Sequence, residues 1–162
     1  MRDIEYNIIV DDILKNDIFN KINDIEHHGT TRMTHSKRVS YYSYKICKLL
    51  HLDYISAARA GLLHDFFISD NNRNKKERLK STFIHPKEAL KNANKYFDLN
   101  PKEQDIIITH MFPININIPL YMESWIVSTI DKIVGTFEFI KAFSLKYTYI
   151  TNLYLALITF FR

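Results

Sequence analysis

The dipeptide His64-Asp65 sets an imidazole beside a carboxylate at the end of an apolar stretch, so that both can be offered to one point in space. Alone the pair says little, because a histidine on an apolar face is more often a satisfied core residue than a ligand. Its company changes the reading. His35 falls on the inner stripe of the preceding helical segment, His85 and His110 stand at expected helix ends, and Asp131 interrupts an otherwise apolar helical pattern. Four imidazoles and two carboxylates supply enough donors for two ions. That mixture suits divalent transition metals, Fe or Mn first and Zn, Co or Ni also, whereas Mg or Ca sites draw mainly on oxygen. Cysteine ligation is excluded, since Cys47 is the only cysteine. Two such ions, about 3.5–4 Å apart, generate a nucleophile from water at neutral pH and clamp phosphoryl oxygens. Chemistry of this kind needs no serine or cysteine nucleophile.

These residues must be brought together by helices. The chain has 162 residues, the usual size of one domain, and 46% of them are apolar, with only three Gly and four Pro. So few turn residues argue against a sandwich or barrel of short strands and for an all-α, single-domain helical bundle. Residues 4 to 25 carry isoleucines at helical spacing and suggest one or two helices. A helix is predicted from Thr30 or Thr31 to Leu50, with His35 on the stripe of Val39, Tyr42, Ile46 and Leu50. Another is predicted from Tyr54 to Phe67, where Ala57, Ala58 and Gly61 are small enough to let a neighbouring helix approach.

From Ser69 to Ser81 the sequence SDNNRNKKERLKS lacks apolar periodicity and predicts a long solvated loop. His85-Pro86 then has the form of a helix start, proline being favoured in the first turn. Asn100-Pro101-Lys102-Glu103 repeats the device with a capping box, and that helix is expected to end at His110. After the irregular run MFPININIPLY, a long helix is predicted from Glu123 to Phe143, with Asp131 within it.

The order His35, His64-Asp65, His85, His110, Asp131 resembles the HD phosphohydrolase superfamily over about residues 30 to 140. The surrounding segments THSKRVSYYSYKI, AARAGLLHD and ESWIVSTIDK are similar to those of small bacterial HD-domain proteins. The resemblance implies an HD-type bundle in which His35, His64, Asp65 and Asp131 hold a first ion. Asp65 would bridge to a second ion held by His85 and His110. Catalysis is then expected to depend on Asp65, shared by both ions, and on His110. Members that cleave cyclic di-GMP carry a His-His-Gly-Tyr-Pro motif near the later histidines. Here His110 is followed by Met111, Phe112 and Pro113, which points away from that substrate. Many members also place a lysine soon after the HD pair, where this chain has Phe66 and Phe67. Substrate phosphate is therefore expected to meet Lys132, Arg32 or Arg73, with His28 or His27 lining the pocket as acid, base or outer partner.

The expected activity is metal-dependent hydrolysis of a phosphoester or phosphoanhydride in a nucleotide or another small anionic metabolite. Two other readings stay open: a di-iron oxygenase built on a similar ligand set, and a regulatory module that binds a nucleotide without turning it over. A net charge of +4 favours anionic small molecules and falls short of a dedicated nucleic-acid binder. The lone cysteine and the N-terminus MRDIEYNIIVDD, which lacks a signal-peptide pattern, lead us to expect a cytoplasmic protein. The apolar run YTYITNLYLALITFF, residues 147 to 161, is too short to span a bilayer. It is expected to form a final helix packed on the domain or on a second subunit in a homo-oligomer, or to touch a membrane surface.

Overall fold

Seven helices carry nearly all of the secondary structure in the computed structural model, which describes residues 3–27, 30–67 and 75–160, the side chains of 24, 26–27, 75–82, 146 and 150–160 excepted. Helix α1 (Ile4–Leu14) is capped by Asp3, and a short α2 (Asp17–Asn20) by Asn16. A 3-10 turn (Lys21–Asp24) leads into a two-residue antiparallel ribbon, β1 (Glu26–His27) and β2 (Thr30–Thr31), with Glu26 opposite Thr31. Then follow α3 (Arg32–Leu49), α4 (Tyr54–Leu63), α5 (Lys75–Tyr96), α6 (Pro101–Thr109) and α7 (Met122–Phe160). The all-helical reading holds.

The cap chemistry matches the boundaries. Thr31 accepts from Thr34 N at the start of α3, and Asn100 with Glu103 forms the expected capping box of α6. Helix α3 closes in a Schellman arrangement in which His51, with φ 54°, occupies the left-handed position usually given to glycine. His51 N and Leu52 N donate there to Lys48 O and Cys47 O.

Three expectations need correction. Helix α4 stops at Leu63, not Phe67, which leaves His64 as its C-cap and Asp65 just beyond. Helix α5 begins at Lys75, inside the stretch read as a loop, and Pro86 lies within it rather than at its start. The charged sequence KKERLK lacks an apolar stripe yet is rich in good helix formers, and one lost N–H at Pro86 does not end a helix of 22 residues. The predicted helix ending at Phe143 and the separate C-terminal helix are one element of 39 residues.

The buried face of α3 also differs from the apolar stripe. Tyr42 and Leu50 are exposed, whereas Ser36, Ser40, Ser43, Val39, Tyr44 and Cys47 point inward. The serines matter because α4 lies close. A Cβ on Gly61 would stand 3.0 Å from Ser40 Cα, and Ser40 Oγ donates to Ala58 O at 2.6 Å while accepting from the Tyr6 hydroxyl. Around this contact Ala57, Leu62 and Leu63 of α4, Ile106 and Ile107 of α6 and Val127, Ile130 and Val134 of α7 complete the core. Overpacking a contact of this kind costs about 1–3 kcal/mol, and exchanging a helical glycine for valine regains only a few tenths in propensity. Gly61→Val is therefore expected to lower the melting temperature by several degrees in thermal denaturation. An unchanged midpoint would show that α3 can move away from α4 freely.

Candidate metal centre

The six predicted ligands are delivered by five helices, His64 and Asp65 sharing one helix end. His35 comes from the first turns of α3, His64 and Asp65 from the end of α4, His85 from α5, His110 from the end of α6 and Asp131 from α7. Five of the six are buried and Asp131 is partly so, which makes its side the wettest edge of the cluster.

The donor atoms converge. One group comprises His35, His64 and Asp131, and a second His64, Asp65 and His110, with all donor atoms of a group within 4.8 Å of one another. Asp131 Oδ1 is 2.9 Å from His35 Nε2 and 3.4 Å from His64 Nε2. Asp65 sits between the groups: its Oδ2 is 3.8 Å from His64 Nε2, and its Oδ1 is 3.5 Å from His85 Nε2 and 3.7 Å from His110 Nε2. His85 Nε2 approaches His110 Nε2 at 3.0 Å.

The backbone decides which imidazole nitrogen faces inward. His64 Nδ1–H donates to Gly61 O at 2.8 Å, and His110 Nδ1–H to Ile107 O at 2.7 Å. In each case a histidine at a helix C-cap bonds the carbonyl three residues back, so the same local geometry turns Nε2 toward the centre. His64 Nε2 is buried and has no hydrogen-bond partner. Such an orphan in a cluster of carboxylates is a position a cation would satisfy.

His35 is fixed differently. Its Nδ1–H donates to Glu138 Oε2 at 2.8 Å, and Glu138 Oε1 in turn accepts from Arg38 Nη1 at 2.6 Å. Sequence reasoning missed Glu138 and Arg38. Two signals were available: Glu138 is the only acidic residue after Asp131, and it lies two helical turns from it on the same face.

The electrostatics are those of a site holding protons where cations would lie. Burial works to lower the His35 pKa, yet the hydrogen bonds to Asp131 and Glu138 push it up to about 10. For His64 burial likewise opposes a proton, and the charges of Asp65 and Asp131 outweigh it. His110 goes the other way: burial, reinforced by His64 and His85, lowers its pKa to about 3. Asp131 is held well below the usual carboxylate range, its burial overcome by the hydrogen bond from His35 and by the His64 imidazole 3.4 Å away.

A pH dependence follows for metal-free protein. The folded state keeps the His35 proton up to a pH of about 10, while the unfolded chain releases it near 6.5. That stabilisation is complete below about 6.5 and is lost as pH rises toward 10. The unfolded chain protonates His110 below about 6.5, which the folded state resists down to about 3, so stability also falls on acidification. The melting temperature of chelator-treated protein is thus expected to peak near neutral pH, and added divalent ions should flatten the alkaline limb by replacing the His35 proton. A midpoint that climbs steadily to pH 9 without metal would contradict this.

The expected phosphate-binding residues fare unequally. Lys132 Nζ donates to His110 O at 2.9 Å, to Ser128 O at 3.0 Å and to Ser128 Oγ at 2.8 Å, so one bond holds the carbonyl at the end of α6 and two tie the ammonium to its own helix. Ser128 Oγ also donates to His110 O. Lys132 is thereby a positioning residue for His110 rather than an open anion site, and burial lowers its pKa. Arg32 lies at the wall of the centre: its guanidinium covers the Phe67 ring at 3.8 Å and donates to Phe67 O, while Phe67 itself packs on His85. Arg73 and His28 lie outside the described residues, as does the side chain of His27. No helix among the described residues is long and apolar enough to cross a membrane. No protein-family model, curated protein or solved structure matches the chain.

Proposed function

We propose that the chain is a metal-dependent phosphohydrolase of the HD type, acting in the cytoplasm on a phosphoester or phosphoanhydride of a nucleotide or other small anionic metabolite. The observation that carries this reading is the convergence of four imidazoles and two carboxylates from five helices on one buried point, with the unpartnered His64 Nε2 at its middle. His35, His64 and Asp131 would hold one divalent ion and His85 and His110 a second, with Asp65 between them. Two ions so placed supply a water of lowered pKa and neutralise charge on phosphoryl oxygens.

The chain's own residues do the positioning. The Gly61 and Ile107 carbonyls fix the tautomers of His64 and His110, Glu138 holds His35, and Lys132 with Ser128 anchors the carbonyl of His110. Arg32 adds positive potential beside the centre and favours an anionic substrate. The mildly basic net charge of +4 acts in the same sense.

The test is a substrate screen with protein purified anaerobically and loaded with Fe or Mn, covering phosphomonoesters, cyclic nucleotides and dinucleoside polyphosphates. Turnover of at least one class, abolished by chelation, is the expected result. A loaded protein that hydrolyses none of them and instead consumes oxygen would overturn the hydrolase reading.

A further inference from the structure

Helix α7 does two jobs along its length. Its first part, from Met122 to Glu138, packs on the bundle and ends with the Glu138 bonds to His35 and Arg38. Beyond Glu138, residues 139 to 160 continue the same helix for 22 residues, or about 33 Å at about 1.5 Å per residue. None of the described side chains from 139 to 149 is buried. Phe139, Ile140, Phe143, Tyr147 and Tyr149 are among the exposed large apolar residues there, and Phe137 just before them is 71% exposed.

The bundle half of α7 has a matching surface. Met122, Trp125, Ile133 and Phe137 lie exposed along its outer side. Ile133 and Phe137 form a ridge flanked by two grooves, one of about 520 Å³ toward Tyr42 and Ile46 of α3 and one of about 280 Å³ toward Thr136 and Ile140. A ridge between grooves is what another helix packs against.

We propose that this surface is a homodimer interface in which the α7 helices of two copies pack antiparallel about a two-fold axis near Glu138, the distal half of each covering the outer face of the other's bundle half. The lengths agree, since the two halves on either side of Glu138 are of similar extent. The area agrees as well. Phe137, Phe139, Ile140, Phe143, Leu145, Tyr147 and Tyr149 are all more than half exposed; at roughly 100 Å² each, and with Met122, Trp125 and Ile133 of the bundle half, they reach the ~800 Å² that each partner contributes to a standard interface. A helix lying on a membrane surface needs a strongly charged face, whereas residues 139–160 contain only Lys141 and Lys146 as charged groups.

Sedimentation velocity of the full chain without detergent tests the inference. The expected mass is twice the chain mass of 19.3 kDa. Phe137→Glu combined with Ile140→Glu should sediment as a single chain with unchanged helical circular dichroism, since both side chains are exposed and outside the core. Orientation is read from mixed single-cysteine variants: Ile133→Cys and Ser144→Cys should cross-link to each other in preference to themselves, the native Cys47 being buried. A wild type that stays single-chain at 100 μM (about 2 mg/ml), a double variant that remains dimeric, preferential self-cross-linking, or wild type that leaves solution with phosphatidylcholine–phosphatidylserine vesicles would each overturn it.

Discussion

Asp65→Ala is expected to retain fewer than one metal ion per chain, and His110→Ala about one. The difference follows from placement. Asp65 presents one oxygen toward His64 and the other toward His85 and His110, so its loss removes the carboxylate shared by both groups of donors. His110 contributes Nε2 on one side only, and His35, His64 and Asp131 persist without it. Both variants should lose hydrolysis. Charge stabilisation by a metal is worth several kcal/mol in the transition state, and each ~1.4 kcal/mol is tenfold in rate, so a fall of about a hundredfold or more is expected in each. Elemental analysis beside a phosphate-release assay separates the pair. Equal metal content in the two variants would remove Asp65 from its shared position.

Glu138→Ala should weaken metal binding by about 10- to 100-fold, the usual effect of deleting a carboxylate behind a ligating histidine. The substitution removes the acceptor of both the His35 Nδ1–H and the Arg38 Nη1 bonds at once. Glu138→Gln keeps an oxygen that can accept from His35 but loses the charge, and should fall between wild type and Glu138→Ala. Titration with Co(II), followed by its visible absorption, reads affinity directly, while circular dichroism reports whether α7 keeps its place. If Glu138→Ala binds Co(II) as tightly as wild type, the carboxylate belongs only to the α3–α7 ion pair.

The candidate cluster was legible because its residue types are scarce and chemically distinct. His64-Asp65, His110 and Asp131 stand out in any apolar context, and their helices were marked by strong caps such as Asn100 with Glu103. The faces were less legible. Helix α3 buries Ser36, Ser40 and Ser43 because α4 comes close at Gly61, and a hydroxyl that fills a tight contact carries no hydropathic signal. Helix α5 hid for the opposite reason: its first turns are polar, and a proline drew the eye to a false start at Pro86. The surroundings of the ligands were least legible. Lys132 looked like an anion-binding group from its place beside Asp131, yet its ammonium reaches back to His110 O and Ser128, a contact between α6 and α7 that no local pattern encodes. Glu138 depends in the same way on α3 and α7 meeting at His35.

The account rests most directly on the number of ions the native site takes up. Wild-type protein, prepared anaerobically and reconstituted with Fe or Mn, should hold about two ions per chain by elemental analysis, with release of a proton on loading because His35 must give its own up. A chain that never exceeds one ion would contradict the dinuclear centre and return His85 and His110 to structural roles.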